Sequence, residues 1–216
     1  MTIYGITGLD WEAFKGCSKL RRVNLPNLTS SGKWTFESSS IEMMLAEKLT
    51  TIQSCFLRYC RNLKQAYFPS ATIVESGVFQ GCERLTRLKL GDVTRIDSGA
   101  FQGCQMLSDI NLDHVVTVDN NAFENCVSLT KLNLPVATEV RYSSFLNCSG
   151  LVEVHMPNVT NIGTTTFKQC TKIKFIDLSS MSESTVLSSY ENWGIQSGCT
   201  IKCKDDSTGE TKTIII

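Results

Sequence analysis

Ten cysteines give this 216-residue chain its largest stock of reactive groups, and their spacing decides what chemistry they can do. Seven of them, Cys17, Cys60, Cys82, Cys104, Cys126, Cys148 and Cys170, fall on one ladder, and the last six stand 22 residues apart. Phenylalanine precedes the last five of these cysteines by three residues, at Phe79, Phe101, Phe123, Phe145 and Phe167. Equivalent residues on stacked strands lie about 4.8 Å apart, which suits the Cα spacing of a disulfide. Their Cβ vectors run parallel, however, and do not converge to the roughly 3.8 Å that a bridge prefers. The ladder is therefore expected to hold buried free thiols acting as small hydrophobes. A zinc site would need ligands at short spacing, and the chain has no C-x-x-C and only two histidines. Cys55 aligns with Gly77, Gly99, Asn121, Ser143 and Thr165, a polar or small position expected near solvent. Cys199 and Cys203 share one strand face about 13 Å apart, too far to bridge each other.

Two further groupings could carry chemistry. Asp109, Asn111 and Asp113 have the alternation of a calcium loop. His114 stands where its glycine is required and Asn120 where its terminal glutamate is required, so an EF-hand is excluded. Glu153, His155 and Asp177 could form an acid–base cluster, but the neighbouring outward positions offer no nucleophile and the repeat implies no enclosed cleft. No enzyme activity, cofactor or metal is expected.

The cysteine spacing belongs to a larger pattern. Apolar residues recur three, six and eight positions after each ladder cysteine: Leu85, Leu88 and Leu90 follow Cys82, and Leu129, Leu132 and Leu134 follow Cys126. Two more follow in each unit, as in Val93 and Ile96, before a pair such as Ala100-Phe101 leads into the next cysteine. Cys60 and Cys17 open units in the same register, and the unit between them requires Ser38 at the cysteine position, with Trp34 and Phe36 in place of the Ala-Phe pair. The fold class that follows is a repeat solenoid, in which no unit buries its apolar face alone and stacking supplies one continuous core. The L-x-L step has period two, so its leucines point inward and the residues between them face solvent. This predicts eight short parallel strands centred near Val23, Met44, Ala66, Leu88, Ile110, Leu132, Val154 and Ile176, with short helical or 3-10 turns before each cysteine. All four prolines, Pro26, Pro69, Pro135 and Pro157, sit just after the step and end the strand. Residues 1–181 are assigned to the solenoid, with an uncapped N-terminus, because Ile3, Ile6, Leu9, Ala13 and Phe14 already occupy repeat positions. Residues 182–216 are assigned to a C-terminal cap with a β-hairpin, formed by the segment Cys199–Cys203, a polar turn over 205–209 and Thr211–Ile216.

The combination of Ala-Phe-x-x-Cys, L-x-x-L-x-L-P and a following V-T-x-I, in register from about residue 3 to 181, resembles the BspA-like leucine-rich repeat family. The resemblance implies a leucine-rich-repeat stack, a protein of bacterial cell-surface or secreted location, and a role in adhesion and protein binding. A structural spacer or a phage virion or tail component is the alternative.

The outward strand positions form two columns on the expected concave sheet. One reads Arg22, Met43, Gln65, Arg87, Asp109, Lys131, Glu153 and Phe175; the other reads Asn24, Leu45, Tyr67, Lys89, Asn111, Asn133, His155 and Asp177. From Arg87 to Glu153 the signs alternate, so cross-strand pairs can form, each contributing about 0.2–1 kcal/mol. Met43, Leu45 and Tyr67 place apolar side chains together at outward positions, the pattern of an interaction patch. The expected partner is a protein or glycan. Lys plus Arg and Asp plus Glu both number 21, giving zero net charge, which does not suit a nucleic-acid or anionic-membrane partner. No apolar run reaches the roughly 20 residues of a membrane span, and the first residues lack the pattern of a signal peptide. The uncapped start suggests preceding residues that are missing, further domains of a larger protein ahead of Met1, or a partner in their place.

Overall fold

The computed structural model describes residues 1–216. The chain winds into a solenoid of about nine turns with a period near 22 residues, and three walls enclose a single apolar core. The first wall carries the L-x-L strands. Arg22–Asn24, Met43–Leu45, Gln65–Phe68 and Arg87–Leu90 form a parallel sheet in which Arg22, Met43, Gln65 and Arg87 are register partners. Ahead of it, Thr2 bridges Asn24 in parallel. A second sheet follows with Lys131–Asn133, Glu153–His155 and Phe175–Ser182.

Between these two sheets the ladder is broken, and here the sequence expectation is corrected. The segment around Ile110 forms no strand. No backbone hydrogen bond joins residues 108–112 to Arg87–Leu90 on one side or to Lys131–Asn133 on the other. A local polar turn follows the lost strand. The Asn111 side chain accepts from the Asp113 N–H at 2.9 Å, a two-residue side-chain turn, and Asp113 in turn accepts from Asn133 at 3.0 Å. Asp177 makes the same turn with the Ser179 N–H inside the intact strand Phe175–Ser182, so the turn accompanies the break and does not by itself cause it. Pro135 and Pro157, which have no N–H to offer such a turn, stand at the equivalent position in the next two units. The break reaches the core. Leu88 and Ile110 are only half-buried, whereas Met44, Leu132, Val154 and Ile176 are at most 1% exposed.

The second wall was not foreseen as a sheet. The V-x-x-I positions form two-residue strands, Thr51–Ile52, Ile73–Val74, Arg95–Ile96, Thr117–Val118, Glu139–Val140 and Asn161–Ile162, paired in parallel without interruption. In the third wall, the expected helical turn takes the form of consecutive hydrogen-bonded β-turns with two left-handed residues per unit, such as Gly77 (φ 66°) and Gly81 (φ 71°). Alternate N–H groups serve different ends. The Gly77, Phe79 and Gly81 N–H groups donate to the next unit, at Ser98, Ala100 and Gln102, while Gln80 and Cys82 close local turns onto Gly77 and Phe79. This accounts for the glycines and asparagines before the cysteines: the conformation strains most side chains. A Cβ on Gly81 would also lie 2.6 Å from the Tyr59 ring.

The left-handed pair in the irregular unit is Trp34 and Ser38. Ser39, and not Ser38, therefore occupies the cysteine position, and Thr35-Phe36 fills the place of Ala-Phe. Ser39 is 3% exposed and its hydroxyl lies 3.3 Å from the Cys60 sulfur. The missing residue falls after Ser39, before Ile41.

The phenylalanines stack along the axis. Phe79, Phe101, Phe123, Phe145 and Phe167 have centroids 5.0–5.9 Å apart and ring planes within 10° of parallel. Leu57 interrupts the column, and Phe56 with Phe68 bridges the gap by edge contacts to Phe36 and Phe79. The cysteines do more than fill space. The Cys60, Cys82, Cys104, Cys126, Cys148 and Cys170 thiols donate to a carbonyl of the preceding unit at 3.0–3.2 Å, that of phenylalanine in every case but Leu57. All ten cysteines are free. Burial pushes the Cys60 thiol up to about 12 and Cys199 up to about 11.

At the C-terminal end, Glu183–Trp193 forms a helix in the place of the next β-turns, accepting the Thr165 and Phe167 N–H groups through Asn192 and Trp193. Thr200–Lys204 then pairs in parallel with Phe175–Ser182, and Thr211–Ile215 closes the edge in an antiparallel hairpin. The helix escaped the sequence reading because only Val186 and Trp193 are buried on it. Its caps were the available signal: Ser182 accepts from the Thr185 N–H, and Gly194 is left-handed at φ 83°.

Candidate interaction surface

The period-two strands leave both outward columns on one open wall. Arg22, Tyr67, Arg87, Lys89, Asp109, Asn111, Lys131, Asn133 and Glu153 are exposed, and Met43, Leu45, His155, Phe175 and Asp177 are half-buried. The two halves of this wall differ in electrostatics.

The C-terminal half neutralises itself. Lys131 pairs with Glu153 at 3.3 Å, holding that carboxyl below the usual range, and His155 lies 3.7 Å from the same carboxylate. Lys202 pairs with Asp177 at 3.4 Å, and the Ser179 N–H donates to Asp177 at 3.1 Å. The His155 ring packs on Phe175 with centroids 5.5 Å apart. Glu153 is thus shared between Lys131 and His155, and Asp177 is held by Lys202 and the Ser179 N–H. The alternation of signs yields only the Lys131–Glu153 pair, because Asp109 stands in the broken segment.

The N-terminal half is apolar and cationic. Met43, Leu45, Gln65, Tyr67, Arg87, Lys89 and Asp109 are among the residues lining a solvent-open cleft of about 540 Å³. Tyr67 is 41% exposed at its centre. Neighbouring charges outside the columns are paired, Glu42 with Lys64 at 3.1 Å and with Arg21 at 3.8 Å. Arg22, Arg87 and Lys89 have no carboxylate within 4.0 Å. The cleft follows from the sequence columns except for its far wall, where the break leaves Asp109 beside Arg87 without a ladder.

No cluster of three or more His, Cys, Asp or Glu side chains is arranged to hold a metal ion, and no helix is long and apolar enough to cross a membrane. Stacked 22-residue turns, a parallel L-x-L wall open to solvent and a capped C-terminal edge define a leucine-rich-repeat solenoid. The profile described as BspA type Leucine rich repeat region, in 6 copies, matches residues 4–107 and 72–195. The chain belongs to that family. Among solved structures, a leucine-rich repeat protein from Bacteroides ovatus aligns over 94% of this chain and 53% of its own, with a TM-score of 0.61 and 20% identity, a likeness of fold. A leucine-rich repeat protein from Eubacterium ventriosum is 26% identical, with a TM-score of 0.52 over 56% of this chain and 34% of its own. The alignments thus span about half and about a third of those chains. No curated protein matches.

Proposed function

We propose that this chain is a non-enzymatic, adhesion-type binding module of a surface-associated protein, engaging a protein or glycan through the concave wall. The observation that carries this reading is the open cleft around Tyr67, where Met43 and Leu45 present apolar surface on the strand face that period-two alternation assigns to solvent. Aromatic and methionine side chains are enriched in interface cores, whereas rim charges contribute little to affinity. Membership of the BspA-type family supports a surface location.

The test is quantitative binding of the purified chain to a panel of extracellular-matrix proteins and glycans, repeated with Tyr67→Ala and with Tyr142→Ala, a 52% exposed tyrosine outside the columns. Tyr67→Ala is expected to weaken binding by at least about 1 kcal/mol, roughly fivefold, while the solenoid stays folded. Tyr142→Ala is expected to leave affinity unchanged. Equal affinity of the wild type and Tyr67→Ala would refute the assignment of the cleft.

A further inference from the structure

The concave reading can be taken to a ligand class, and the inference rests on that reading. We propose that the cleft and the adjoining break form a site for an extended peptide carrying an apolar side chain followed, two or three residues later, by a single carboxylate.

Three observations lead to this chemistry. First, the cleft is apolar at one side and cationic at the other. Leu45, Tyr67 and Lys89 are successive register partners on neighbouring strands, as are Met43, Gln65 and Arg87. Strands lie about 4.8 Å apart, so the apolar pair Met43 and Leu45 is separated from the cations by about 10 Å. An extended chain covers that distance in about three residues at 3.3–3.6 Å each. Second, Arg87 and Lys89 have no carboxylate within 4.0 Å, in contrast to the self-neutralised C-terminal half. Charge complementarity therefore calls for a carboxylate at this end. Asp109 on the far wall repels a second one, which argues for a single acid rather than an acidic run. Third, the cleft opens onto backbone groups that lack partners. Residues 108–112 donate no backbone hydrogen bond, and nothing crosses from them to Arg87–Leu90. Free main-chain donors and acceptors at the cationic end of the cleft can each bond a single carbonyl or N–H of a peptide that crosses the strands from Met43 and Leu45. A glycan would find one aromatic ring at the cleft, Tyr67, with a thioether and an aliphatic side chain beside it.

The experiment uses the full chain against an immobilised octapeptide library with leucine fixed at one position and the others randomised. Selected peptides are then bound during amide hydrogen exchange. Enrichment of Asp or Glu two or three residues after the leucine is expected, with protection at Leu88, Leu90 and residues 108–112. Arg87→Glu combined with Lys89→Glu is expected to weaken the selected peptide at least tenfold and to shift enrichment toward Lys and Arg. Enrichment of neutral or basic peptides that protect Met43–Lys89 would overturn the acidic chemistry and leave the concave reading standing. A polyuronate oligosaccharide that protects the same residues when no peptide is enriched would overturn the peptide class alone. Protection confined to the β-turn wall, or binding of neither probe, would overturn both.

Discussion

At the scale of single residues, the ladder cysteines are the instructive case. Their freedom from disulfides was legible from parallel Cβ vectors and the burial of six, Cys60 to Cys170, from the repeat, whereas Cys17 was expected to be buried and is only half-buried. Their bond to the preceding unit's carbonyl was not legible, because cysteine's value as a donor depends on an acceptor that only the turn geometry places. The bond orders two substitutions at Cys126. As a mere hydrophobe, it should tolerate alanine better than serine, which buries a hydroxyl. As a donor to the Phe101 carbonyl at 3.2 Å, it should tolerate serine, whose hydroxyl can take over the bond, at least as well. We expect Cys126→Ala and Cys126→Ser each to cost roughly 1–2 kcal/mol in urea unfolding, with alanine no better than serine. Accessibility gives a second expectation. Cys17 and Cys55 are the partly exposed thiols and the other eight are buried, so a native titration with a thiol reagent should modify two rapidly, and all ten only in denaturant.

At the scale of elements, the strands of the first wall and the hairpin lie where alternation and turn residues put them, while the second wall, the terminal helix and the loss of the Ile110 strand do not. A two-residue strand has no periodicity to read, so Thr117–Val118 resembles any apolar spacer. Ile110 is the opposite case: its hydrophobic pattern is intact, and nothing in that pattern marks the lost ladder bonds. For the candidate surface, the columns were legible from alternation, whereas the charge asymmetry between its halves required knowing which pairs form. The hairpin supplies a pH expectation. Hydrogen bonds from Ser207, followed by Lys212 and the Thr208 N–H, hold the Asp205 carboxyl well below the usual carboxylate range. With its folded pKa depressed, Asp205 contributes stability that is present above its unfolded value of about 4 and is lost as pH falls through the folded value. Asp205→Asn should therefore speed amide exchange in Thr211–Ile215 at pH 7 relative to the wild type, and the difference should shrink below about pH 4.

At the scale of the whole molecule, each turn touches only its neighbours, so shape is the sum of small rotations between them. The three walls are not equally continuous. The two-residue strands and the phenylalanine column run unbroken past the fifth unit, while the concave wall is interrupted there. Such an object behaves as a tube with a slit cut across one side, hinged on its two intact walls and softest to bending in the plane that opens or closes the slit. The radius of curvature of the concave face then becomes an adjustable quantity, set by whatever spans residues 88–112. Asp113→Pro removes the N–H that closes the Asn111 turn and installs the residue found at Pro135 and Pro157. It should favour the ladder and narrow the distance distribution between spin labels at Lys48 and Lys172, whereas an unchanged distribution would mean that the slit does not govern the bend.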